Sequence, residues 1–144
     1  VASNRLPSLE GVSLAGQSLR FPEHLPEAGL VLVFGFTHEA RHDVGHWKAA
    51  LRERAIPFLS LPTSAQDTEA AAMVNVAEAM RVHVPRGAWE QVVQIHQGGE
   101  ALRHVFGWQA DVFAKVVRVT GAGQVVARHD AGPFTHEALG PFLG

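Results

Sequence analysis

The sequence predicts an α/β domain: a mixed β-sheet between layers of helix, with a short β-hairpin ahead of the first central strand. Three observations carry this. GLVLVFGF (29–36) is a continuous β-type run with the length of a strand covered on both faces, and IPFLSL (56–61) reads as a second buried strand. Segments with helical spacing follow each run. Near the end, VFAKVVRV and QVVARHD flank the glycine turn TGAG, which makes that strand pair antiparallel.

The elements follow in order. Residues 6–26 are punctuated by Pro7, Gly11, Gly16, Pro22 and Pro26, with Leu9, Leu14, Leu19 and Phe21 between them. They read as a loop plus a short hairpin turning at Ala15-Gly16-Gln17. After the 29–36 strand, Thr37 suits a helix N-cap and Glu39 the acidic first turn. Ala40, Val44, Trp47 and Leu51 recur at helical spacing, and Arg52 and Arg54 lie where cations suit the helix C-terminus. Pro62 closes the second strand. Ser64 to Asp67 offers a cap for a second helix, whose inner side is Met73, Val74, Ala77, Met80 and Val84 and which ends before Pro85. WEQVVQI (89–95) reads as a strand stopped by Gly98-Gly99, and EALRHVFG (100–107) as a short helix. The strands 112–119 and 124–130 follow. GPFTHEALGPFL, with Thr135 as N-cap and Glu137 in the first turn, reads as a terminal helix.

Composition narrows the function. The 144 residues suit one domain, 1–144, and 47% apolar content argues against disorder. A net charge of -2 with scattered basic residues argues against a nucleic-acid partner. No apolar run approaches the ~20 residues that span a membrane. The chain does not open on Met, so a trimmed chain is expected. The expected compartment is the cytoplasm, or the periplasm or an organelle where a targeting segment has been removed. The sequence has no cysteine, so it has no disulfide, thiolate nucleophile or Cys-type metal site. It has no G-x-S-x-G elbow, and Gly121-Ala122-Gly123 is too short for a phosphate loop.

The order and punctuation resemble the thioredoxin-like superfamily in its peroxiredoxin-type variant. The matching residues are Pro7, Leu9, Gly11, Leu14 and Gly16, then Leu32-Val33-Phe34-Gly35-Phe36-Thr37. Val116-Val117-Arg118-Val119-x-Gly121-x-Gly123-Gln124-Val125-Val126 and Gly132-Pro133-Phe134-Thr135 complete the match. A closer likeness is to the mitochondrial ATP synthase assembly factor family, through Val92-Val93-x-Ile95, Glu100-x-Leu102-Arg103, Phe106-Gly107 and Val112-x-x-x-Val116. The resemblance implies a reactive cysteine three residues after Thr37, and that position is Ala40. It implies a cis-proline before the 112–119 strand, where the sequence reads Trp108-Gln109-Ala110-Asp111. Only a thiolate forms the sulfenic acid and disulfide intermediates of that chemistry, so peroxidase and disulfide exchange are excluded.

Nine histidines remain to be explained. His38, His42 and His46 recur every four residues. On a wheel of ~100° per residue they lie opposite the Val44–Trp47 face, toward water. The plain reading is a solvated helix face. The alternative is a metal clip for zinc or copper, with His38, His42 and His46 as ligands. His24, His83, His96, His104, His129 and His136 are scattered over other elements.

The expected function is therefore redox-inactive and exerted by protein binding, in a scaffold, chaperone-like or assembly role, with no cofactor. The expected partner is a protein or a second copy of the chain. In the fold implied by the resemblance, a groove beside the first helix accommodates extended peptide. Phe36, Thr37, His38, Ala40 and His42 are the residues expected to line it.

Overall fold

The computed structural model describes residues 4–143. The strands are β1 (Leu9–Ser13), β2 (Ser18–Phe21), β3 (Leu30–Gly35), β4 (Phe58–Pro62), β5 (Val93–Gln97), β6 (Lys115–Val119) and β7 (Val125–His129). The helices are α1 (Arg41–Glu53), α2 (Val74–His83) and α3 (Gly99–Phe106). β1 pairs antiparallel with β2 on one side and β5 on the other. In the second sheet β3 lies between β4, which is parallel to it, and antiparallel β6, with β7 at the edge. Two isolated parallel bridges, Ser60 to Val92 and Thr63 to Ile95, join the sheets.

The apolar run of β3 is buried on both faces because successive side chains point opposite ways. Leu32 and Phe34 pack with Leu61, Val93, Ile95 and Val117 under Leu102 and Phe106 of α3. Val31 and Val33 pack with Phe58 and Val116 under Trp47 and Leu51 of α1 and Phe142 of the tail. Full burial of a side chain such as Leu51 contributes about 1.5–3 kcal/mol. The α/β sandwich and the N-terminal hairpin match the sequence reading.

Several elements differ from it, each for a local reason. α1 begins at Arg41 with Ala40 as N-cap, not at Thr37. The Thr37 hydroxyl instead accepts from the Ala40 N–H at 3.2 Å and donates to the Asp111 carbonyl at 2.9 Å, which holds a turn ahead of the helix. A 3-10 turn, Ala70–Met73, leads into α2, and the acid expected to start that helix caps another. Asp67 Oδ1 accepts from the N–H groups of Gly98 and Glu100 at the head of α3. On α2 only Ala77 is buried, and Val74, expected inside, is 50% exposed.

Residues 86–91 form a 3-10 helix rather than strand, so β5 starts at Val93. The Trp89 indole there donates to the Val84 carbonyl and lies under the Arg81 and Arg86 guanidinium groups. β6 starts at Lys115 instead of 112, because Asp111 folds the chain back through the Phe113 N–H at 2.9 Å. The terminal helix is absent among the described residues. Gly132, Pro133, Gly140 and Pro141 leave only turns and the 3-10 segment Gly140–Phe142. Phe142 nonetheless anchors the tail, its ring edge-on to Trp47 at 5.4 Å.

Candidate binding site at the head of the first helix

Sequence reasoning points to the turn between β3 and α1, and the structure shows what holds it. Asp43, in the first turn of α1, is 6% exposed. Its Oδ2 accepts from the Ala114 N–H at 2.8 Å and its Oδ1 from the Phe134 N–H at 2.7 Å. One carboxylate thus ties the helix to the start of β6 and to the C-terminal segment. Asp43 is thus an interior acid.

Next to it lies the ion pair of Lys115 and Asp111. The ammonium, 1% exposed, donates to both carboxylate oxygens at 2.8 and 2.9 Å. Burial alone raises the Asp111 carboxyl. The Lys115 hydrogen bond, the Phe113 N–H and the Lys115 charge outweigh this and hold it below the usual aspartate value. The Thr37 hydroxyl on the Asp111 carbonyl completes the link between the loop and the turn.

The five residues expected to line a groove separate into two groups. Thr37 and His38 do line one, a cleft of about 670 Å³ running between α1 and α2 over β4. Phe36 and Ala40 are 8% and 1% exposed and belong to the interior, with Phe36 against the Trp108 ring. His42 is exposed outside the cleft. The residues that sequence reasoning missed are Arg41, Val44, Gly45 and Lys48, which form one stripe along α1 at positions i, i+3, i+4 and i+7. That spacing is legible in the sequence, but the wheel assigns Val44 to the core face with Trp47, whereas here it lines the cleft.

His38, His42 and His46 are all exposed, and the His46 ring stacks on Phe134 at 6.5 Å. Residues 38–42, HEARH, spell the His-Glu-x-x-His zinc-protease spacing, which needs both imidazoles on one helical face. α1 starts only at Arg41, so His38 and Glu39 fall in the preceding turn. Among the described residues, no group of three or more His, Asp or Glu is placed to hold a metal ion. No helix among them is long and apolar enough to cross a membrane.

No protein-family model and no curated protein matches the sequence. Solved structures do match in shape. The exposed lipoprotein thioredoxin of Streptococcus pneumoniae superposes with a TM-score of 0.61 at 12% identity, over 95% of this chain and 98% of that one. A thio-disulfide isomerase from Thermus thermophilus gives 0.59 at 18% identity, over 99% and 94%. A member of the Sco family of cytochrome c oxidase assembly proteins gives 0.58 at 10% identity, over 89% and 84%. Identities this low speak for fold and leave activity to the site. With the helix-flanked mixed sheet and the N-terminal hairpin, they make the fold of this chain thioredoxin-like.

Proposed function

We propose that residues 1–144 are a single, redox-inactive thioredoxin-like domain that works by binding another protein at the head of α1. The observation that carries this is the chemistry of the turn. Where the fold's thiol chemistry sits, this chain has Ala40, packed at 1% exposure, and it has no cysteine anywhere. Function lives in the site, so the shell inherits the shape without the reaction. What remains is a rigid platform. Thr37, Asp43 and the Lys115–Asp111 pair fix the turn, and His38 and His42 stand exposed on it. Exposed polar and imidazole groups on a scaffold of that stiffness need little ordering when a partner docks. The likeness to assembly factors noted in the sequence, together with a Sco-type structural neighbour, favours an assembly or chaperone-like role.

The test uses a photo-crosslinking amino acid at His38 and, separately, at the remote, 80% exposed Val82, each in the chain expressed in its own cell. One discrete polypeptide crosslinked from position 38 and not from position 82 is the expected result. It should be lost when His42→Glu is added to the chain that carries the crosslinker at position 38. Unchanged crosslinking in that variant refutes the binding site. Thiol-independent peroxide turnover by the pure chain refutes the redox-inactive reading.

A further inference from the structure

The cleft between α1 and α2 has a chemistry of its own. Its α2 wall presents Val76, Ala79, Met80 and His83, again at i, i+3, i+4 and i+7, facing the α1 stripe. Val84 and Val92 extend that apolar wall, and Gly35, Ser60 and Pro62 form the floor. Among the described residues no Asp or Glu lines it, while Arg41 and Lys48 do. Lys48 is half-buried and forms no ion pair among those residues. Ser60 is 5% exposed, its side chain on the cleft side of β4, and its hydroxyl makes no hydrogen bond among them. The Ser60 hydroxyl and the half-buried Lys48 ammonium thus face one apolar cleft with no partner among the described residues, free to meet a ligand group.

We propose that this cleft binds a small apolar carboxylate: a hydrocarbon chain or ring seated on Val76, Met80, Val84 and Val92, with its carboxylate on the Lys48 ammonium within reach of the Ser60 hydroxyl. The volume of about 670 Å³ falls within the ~300–1,000 Å³ of small-ligand sites, which are apolar with a few placed polar groups. Burial, with the neighbouring Arg52 charge, lowers the Lys48 pKa, so an anion there relieves a strain that the protein alone leaves standing. A peptide fits less well. An extended segment brings a donor and an acceptor with every residue and needs a sheet edge to pair with. β4, the strand beneath the cleft, is paired with β3 on one side and bridged toward β5 on the other.

The test titrates decanoate, decyltrimethylammonium and the peptide Ac-Val-Leu-Glu-Leu-NH2 into the full chain, followed by amide chemical shifts and calorimetry. Decanoate is expected to bind below its micelle concentration, shifting Val44, Lys48, Val76 and Met80, with at least tenfold weaker binding of the cationic chain. Lys48→Met should weaken decanoate at least tenfold, and Val76→Gln, at a half-exposed position that tolerates a polar group, several-fold, both with unchanged circular dichroism. Equal affinity for the two alkyl chains, no binding of decanoate, or an unaffected K48M overturns the proposal. Tighter binding of the peptide than of decanoate overturns it in favour of a protein segment. Crosslinking at His38 is a separate readout, so the binding role at the turn stands or falls independently.

Discussion

Replacing Asp43 with alanine removes a single carboxylate that accepts two backbone N–H groups from segments 71 and 91 residues away. A hydrogen bond to a charged acceptor contributes roughly 1.5–3 kcal/mol net, and a buried donor left alone costs about 1–3 kcal/mol. The Ala114 N–H is buried and finds no water once the carboxylate is gone, whereas Phe134 is half-buried and its N–H can be rehydrated. Taking the full cost at Ala114 and a reduced one at Phe134 gives a loss of about 3–4 kcal/mol. For a chain of this size that is a fall in Tm of about 10 °C. Asp43→Asn keeps one acceptor oxygen and turns an amide toward the other N–H, so it should lose nearly as much. The assay is urea unfolding with thermal melting alongside, reading the midpoint at constant slope. An Asp43→Ala chain within about 1 kcal/mol of the parent would refute the role of this carboxylate as the tie between α1, β6 and the tail.

Asp111→Ala leaves the Lys115 ammonium buried with no carboxylate, and a loss of about 2 kcal/mol is expected in urea melts. That is below the ~3–5 kcal/mol of a fully buried pair because the aspartate side is 38% exposed. Lys115→Met in the Asp111→Ala background should recover most of the loss, and no recovery would argue against the pair. The folded Asp111 carboxyl lies below its ordinary value of 3.8, so its stabilisation is complete above that pH and fades as pH falls through the folded value. The Asp111→Asn chain should therefore lose less stability than the parent on acidification below about pH 4, and parallel profiles would contradict the pairing. The Lys48 pKa is lowered on folding from 10.5, so its charge costs stability at neutral pH, and stability rises as pH climbs through the folded value toward 10.5. Lys48→Met should melt higher than the parent at pH 7, with the gap narrowing toward pH 10.5, and a gap that widens would contradict the assigned burial. Zinc in tenfold excess should move the Tm by less than about 1 °C, and a rise of several degrees would revive the metal reading of His38, His42 and His46.

The strands of the central sheet were legible because Leu30–Phe36 is an uninterrupted β-type run and Phe58–Leu61 is a short apolar stretch broken only by Ser60. The tail was not. The acidic first turn and cap at Thr135 and Glu137 are genuine local signals, and the Thr135 hydroxyl does accept from the Ala138 N–H. Gly140-Pro141 then cuts the segment before α-helical turns accumulate. Asp67 shows a different gap. Its residue type announces a helix cap correctly, but the helix it caps begins 32 positions along the chain, at Gly99, and only packing brings the two together. The candidate site was half legible for the same reason. A helical wheel places His38 and Lys48 around an axis, yet it cannot say that α2 stands off from one stripe of α1 and leaves Arg41, Val44 and Lys48 facing a cleft.

α2 is held to the sheet chiefly through Ala77, packed with Leu14 and Val92, while Val74, Val76 and Val82 stay in water. An element with so few buried anchors opens at lower free energy than the body of the domain, so its amides should exchange with solvent ahead of those of β3 and β6. One wall of the cleft is therefore pliant and the other, pinned by Trp47 and Asp43, is stiff. Such a jaw can grip cargoes of somewhat different girth while the frame behind it keeps its shape.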